Sequence, residues 1–159
     1  LEKIAGETGV TLANINSPDQ IVLSGTAEGI AKAEALCKAA GAKRALPLPV
    51  AGAFHSPLMQ PAADRLAGFL GTIQLNAPSM PVLSNVTGRP HENVESIRAN
   101  MIAQITGSVR WVESMQWLAA QGVAEAVECG PGKVLAGLMK RIDKNVAVSN
   151  IGAVSDLEA

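Results

Sequence analysis

This chain of 159 residues holds few of the groups that usually announce a chemistry. Charge of one sign is missing: 13 Lys and Arg stand against 14 Asp and Glu, for a formal net charge of −1. No general attraction to nucleic acid or to an anionic membrane follows from that balance. Cysteine is scarce. Cys37 and Cys129 lie far apart with no second ligand nearby, so zinc spacing is absent, no metal is expected, and a reduced, cytoplasmic setting is the default. No apolar run approaches the roughly 18 residues that a membrane-spanning helix needs. There is no G-x-G-x-x-G fingerprint and no G-x-S-x-G nucleophile elbow. No repeat, low-complexity tract or linker rich in Pro, Gly or Ser divides the chain. The opening Leu1-Glu2-Lys3-Ile4 has no initiator Met and no signal-peptide pattern, and it reads as the middle of a helix, so a fragment is expected.

What is present is core-forming. Hydrophobic residues make up 48% and charged residues 17%, the balance of a globular chain. The length suffices for one domain or two small ones. Leu1 to Gly9 reads as a helix end stopped by Gly9, followed by a strand at Val10 to Asn14. A turn at Asn16-Ser17-Pro18-Asp19 leads to a second strand at Gln20 to Ser24. Thr26 suits the N-cap of a helix over Ala27 to Ala40, with Ile30, Ala33, Leu36 and Cys37 on one face. Gly41 ends it, and Ala42 to Val50 reads as a returning strand. Helix, hairpin, helix and strand make most of a ferredoxin-like unit whose first strand would precede residue 1.

Further on, Pro81 to Asn85 reads as a buried-type strand and Val86 to Val94 as a polar loop. Helices are expected over Glu92 to Thr106 and Val112 to Gln121, the second with Met115, Leu118 and Ala119 inward. A strand at Val123 to Cys129, a tight turn at Gly130-Pro131-Gly132, a helix at Lys133 to Ile142 and a strand at Ala147 to Ile151 complete the chain. Alternating strands and helices predict a largely parallel α/β sheet.

One of only two histidines stands in Gly52-Ala53-Phe54-His55-Ser56-Pro57. The stretch joins an apolar run to an amphipathic helix. Ser56 suits its N-cap, Pro57 its first position, and Leu58, Ala62, Leu66, Phe69 and Leu70 its buried face. His55 thus lies beside a helix N-terminus, whose dipole disfavours imidazolium and leaves a neutral, basic ring suited to a general base. A lone histidine in a turn is also a common surface residue. His91, beside Arg89 and Glu92, reads as solvated.

Gly130-Pro131-Gly132-Lys133 resembles a phosphate loop only at first glance. No Gly lies five positions before Gly132, and Val134 stands where Ser or Thr is required. A sharp strand-to-helix turn explains the glycines. Lys43-Arg44 fits either a solvated strand edge or a contact to a phosphate-bearing ligand. Asn14 and Asn16 fit turn formation or ligand hydrogen bonding. Acyl transfer or hydrolysis needs an activated Ser or Cys and an oxyanion hole beside the base. Neither is evident.

Four ordered segments carry a resemblance: Asn14-Ile-Asn-Ser-Pro-Asp-Gln-Ile-Val-Leu-Ser-Gly25, Gly52-Ala-Phe-His-Ser-Pro-Leu-Met59, Gln104 with Ser108-Val-Arg-Trp111, and Glu128-Cys-Gly-Pro-Gly-Lys-Val-Leu135. Together they resemble the malonyl-CoA:acyl carrier protein transacylase family of bacterial fatty acid synthesis, over essentially the whole chain. The resemblance implies an α/β-hydrolase-like acyltransferase domain with an inserted ferredoxin-like small subdomain. Residues 1–50 would be that subdomain, lacking its first strand, and residues 51–159 the C-terminal part of the large one. It implies a serine ester as intermediate, with the serine outside this chain. His55 would be the base, oriented by the main-chain carbonyl of Gln104.

Phe54 would fill the space of an α-methyl group, a preference of about 1–3 kcal/mol for malonyl over methylmalonyl. Asn14, Asn16 and Arg44 would hold the CoA or phosphopantetheine arm. Malonyl-CoA, acyl carrier protein and the N-terminal half of the same enzyme are the implied partners. No cofactor, nucleic acid or membrane is implied. The serine elbow, the glutamine-containing oxyanion segment and the malonate-clamping arginine have no counterpart here, so the chain alone is expected to be inactive. A non-catalytic module that binds acyl carrier protein or another ligand, and half of an acyl hydrolase, are the alternatives.

Overall fold

A computed structural model describes residues 1–157. Helix α1 (Glu2–Thr8) ends at Gly9, which takes the left-handed conformation with φ 70°. Strands β1 (Thr11–Ser17) and β2 (Gln20–Ser24) form an antiparallel hairpin, with register irregularities between Leu12 and Asn14 and between Ile15 and Ser17. Asn16 and Ser17 therefore belong to β1, and the turn shrinks to Pro18 and Asp19. Helix α2 (Ala27–Ala39) starts at Thr26, whose hydroxyl accepts from the Gly29 amide at 3.1 Å. Its packed face is Gly29, Ala33 and Cys37, while Leu36 points to solvent. Ala5, Val10 and Ala33, with Ile4, Leu12, Leu23 and Ile30, form the core between the two helices and the hairpin.

The returning strand expected at Ala42 to Val50 does not form. The segment is extended and irregular, with Leu46, Leu48 and Val50 at 72, 57 and 61% exposure. A strand is held by the ladder of a neighbour, and no described strand lies alongside this one.

A 3₁₀ turn (Pro57–Met59) leads into α3 (Gln60–Leu70). Ser56 does not cap it. Its buried hydroxyl donates instead to the Ala53 carbonyl at 2.6 Å. The packed face of α3 is Ala63 and Leu70, and Leu58 and Phe69 are exposed, contrary to the face expected from spacing. The buried strand expected at Pro81 to Asn85 shrinks to β3 (Leu83–Ser84), paired with β4 (Arg89–Pro90). Helix α4 (Val94–Thr106) begins with a reciprocal Asn93–Ser96 capping box. Helix α5 (Trp111–Ala120), strand β5 (Glu125–Cys129), helix α6 (Val134–Ile142) and strand β6 (Ala147–Ile151) follow, with a final 3₁₀ turn at Val154–Leu157.

The sheet is not largely parallel. Three two-stranded pairs are present among the described residues, and only β5 and β6, joined through α6, run parallel. They carry the second core: Met115, Met139 and Val146, with Trp111, Leu118, Ala119, Ala126, Ile142 and Val148 around them. β1 joins the two cores. Val109 donates to the Ala13 carbonyl and accepts from the Ile15 amide, both at 2.8 Å. Ser108 Oγ donates to the Leu12 carbonyl. No described helix is long and apolar enough to cross a membrane.

Candidate active site

His55 is the one non-glycine residue with positive φ (58°) among the described residues. The left-handed region is sparsely used, and a residue held there is over-determined by its surroundings. Two bonds do this. The Ser56 hydroxyl closes the loop back onto Ala53, and the Thr11 hydroxyl on β1 lies 3.3 Å from the His55 carbonyl, shared with the Ser24 carbonyl at 3.2 Å. The conformation aims the partly buried imidazole at the last turn of α4.

There, Nδ1 lies 2.9 Å from the main-chain oxygen of Gln104. The final carbonyls of a helix lack intrahelical amide partners and carry the negative end of its dipole. Gly107 satisfies Ala103 at 2.7 Å, and the ring takes Gln104. Sequence alone set His55 beside the positive end of α3. In the fold its ring faces the negative end of α4. A carbonyl only accepts, so this bond calls for hydrogen on Nδ1, the form that carries the lone pair on Nε2. Nε2 makes no hydrogen bond among the described residues.

The register of α4 against β1 is set just beyond it, by Ser108 and Val109 on β1 and by Arg110 donating to the Asn85 carbonyl at 2.8 Å. The Ser108-Val-Arg-Trp111 segment thus anchors the carbonyl that holds the ring. Phe54 is half-exposed, its ring folded over the Gly52 backbone. Asn14 and Asn16 lie on β1, and Arg44 on the exposed irregular segment. No hydrogen bond among the described residues joins any of the three to His55. His91 is paired with Asn100 at 3.1 Å.

The Gly130-Pro131-Gly132 turn needs glycine at both ends, with φ 134° and 91°. The amides it leads into are already occupied. Glu128 accepts from Leu135 at 3.0 Å and from Ala136 at 2.9 Å. These amides, Ala136 first, hold its carboxyl below the usual carboxylate range. A phosphate would have to displace that carboxylate. Thr11 and the Gln104 side chain were not singled out from the sequence, and Glu128 entered only as the first residue of a segment that carries the resemblance, with no role given to it. Only Glu128 left a signal, an acid a few residues ahead of a glycine-led helix start.

Residues 1–153 match the acyl transferase domain family. The chain belongs to that family. Among acyl transferase relatives, the malonyl CoA-acyl carrier protein transacylase of Escherichia coli K12 is 46% identical over 158 residues, 99% of this chain and 51% of the relative. That of Bacillus subtilis 168 is 46% identical over 144 residues, 89% of this chain and 45% of the relative. Among solved acyl transferases, an acyl-carrier-protein S-malonyltransferase from Burkholderia pseudomallei 1710b superposes with TM-score 0.93 at 41% identity, covering 98% of this chain and 52% of its own. A malonyl-transacylase solved with its type II polyketide acyl-carrier protein gives 0.92 at 40% identity, covering 99% and 51%. The chain spans about half the length of the relatives it matches.

Proposed function

We propose that this chain supplies the base-bearing part of a malonyl-CoA:acyl carrier protein transacylase of fatty acid synthesis, with the nucleophilic serine contributed from outside these 159 residues. The observation that carries the proposal is the His55 ring, held through Nδ1 by the Gln104 main-chain carbonyl with Nε2 free. Identity of 46% to curated transacylases supports it.

With hydrogen on Nδ1, Nε2 takes the serine Oγ proton as the oxygen attacks the malonyl thioester. The C–S bond breaks, and the imidazolium returns the proton to the departing CoA thiolate. A malonyl-serine ester remains. In the second half, Nε2 takes the proton of the phosphopantetheine thiol and sulfur attacks the ester carbonyl. The proton then passes to the serine oxygen as the C–O bond breaks. In each half the ring becomes positive facing the carboxyl end of α4, a contact worth about 0.3–1 kcal/mol and up to ~2 when partly buried. That contact stands where other acyl-transfer sites place a carboxylate.

Phe54 borders the acyl pocket and disfavours an α-methyl, while Asn14, Asn16 and Arg44 line the path of the phosphopantetheine arm. No cofactor takes part, and the setting is the cytoplasm. Acyl carrier protein is the partner, as in the solved complex of a relative. The hairpin with α1 and α2 is the larger part of a ferredoxin-like subdomain (residues 1–50), completed by a strand from the serine-bearing half; residues 51–159 belong to the large subdomain.

Intact mass after mixing with malonyl-CoA tests this. A malonyl adduct is expected on the serine-bearing half, only when both halves are present, and lost in His55→Ala. No adduct with both halves together would overturn the proposal.

A further inference from the structure

Nδ1 of His55 has a second neighbour on the same residue. The side-chain Nε2 of Gln104 lies 3.0 Å from it, against 2.9 Å for the main-chain oxygen. A second contact points to the same orientation of that amide. Its nitrogen also lies 3.4 Å from the Gly107 carbonyl, which only accepts, so the NH₂ end and not the oxygen faces this side. The two groups of Gln104 make opposite demands on one ring nitrogen. The carbonyl requires hydrogen on Nδ1. The NH₂ group donates, and requires a lone pair there.

We propose that the Gln104 side chain is a positioning group that selects the His55 tautomer: its amide stabilises the Nε2–H form, which cannot serve as a base, in competition with its own main-chain carbonyl, which stabilises the base-competent Nδ1–H form. Exchange moves one proton between the ring nitrogens, with water as the carrier. The resting ring is divided between the two forms. It becomes wholly competent when the amide turns away or when a group at Nε2 demands the lone pair. The consequence for catalysis rests on His55 being the base of the proposed transacylase. The tautomer balance itself does not.

Ring ¹⁵N chemical shifts of the intact protein, labelled at histidine and recorded where the ring is neutral, read the balance directly. His55→Gln identifies the resonances. In the unsubstituted protein Nδ1 is expected between the pyrrole-type and pyridine-type positions. In Gln104→Met, which keeps the main-chain carbonyl and removes the donor, Nδ1 shifts fully to the pyrrole-type position and Nε2 to the pyridine-type. Gln104→Glu, polar and of similar size, gives the same shift because a carboxylate only accepts. Nδ1 wholly pyrrole-type in the unsubstituted protein, or equal shifts there and in both variants, would overturn the proposal. The malonyl-adduct experiment fails separately: no adduct with a confirmed tautomer shift removes the transacylase proposal and leaves the tautomer selection by Gln104 standing.

Discussion

At the scale of single residues, the left-handed backbone of His55 separates two roles that substitution usually confounds. A left-handed residue costs roughly 1–2 kcal/mol unless it is Gly or a small polar side chain that bonds locally. His55→Asn and His55→Val both remove the imidazole, but Asn tolerates φ 58° and a β-branched residue does not. Urea midpoints are expected to put His55→Val about 1–2 kcal/mol below His55→Asn. Both are expected to lose about 10²–10⁴-fold in malonyl transfer by the complete enzyme, the usual share of a general base. Equal stabilities would mean that the turn relaxes around the substitution. Thr11 is the neighbouring case. Its hydroxyl ties β1 to the His55 carbonyl, and Thr11→Val is expected to cost about 0.5–1.5 kcal/mol, the net worth of a hydrogen bond, with Thr11→Ser restoring it.

At the scale of elements, most of what the sequence announces is local. The bounds of β2 and β6 and the Thr26 cap of α2 are legible because alternation, apolar runs and a cap residue act within a few positions. The strand expected at 42–50 was not, since β propensity describes fit to a neighbour rather than a backbone preference. Nor could spacing reveal that Leu58 and Phe69 point outward, because helical periodicity marks a face without saying what covers it. At the candidate site, the His55–Gln104 pair spans 49 positions. It entered only through the family resemblance.

The α6 start yields a pH prediction. Amide donation from Ala136 and Leu135 lowers the Glu128 carboxyl below the ordinary glutamate value. A folded-state value below the unfolded one contributes stability that is present above about pH 4.5 and is lost as pH falls through the lowered value. Glu128→Gln is expected to be less stable than the parent near pH 7 and to narrow that gap on acidification, read as urea midpoints at both ends. A gap that stays constant with pH would show that the carboxylate charge is not what holds the helix start.

At the scale of the whole molecule, two packed cores meet along β1, and apolar surface is left over beside the site. Leu46, Leu48, Val50 and Phe54 are each more than half exposed, all within ten residues of His55. A run of exposed apolar side chains on an extended backbone without ladder partners is what a sheet edge presents before another strand joins it. Amide hydrogen exchange separates the regions. Amides of the β1–β2 hairpin are bonded to one another and are expected to be protected. Those of Ala45, Leu46 and Leu48 (Pro47 and Pro49 carry none) lie outside any ladder and are expected to exchange at close to the rate of open chain. Adding the serine-bearing half is expected to slow exchange at 45–50 and at Phe54 and His55 together, because one strand placed against this segment would also wall the candidate site. Protection at 45–50 in this chain by itself would mean that it already has a partner, a second copy of the chain included. Protection at 45–50 without any at Phe54 and His55 would detach the segment from the site and leave its apolar side chains to an interface of another kind.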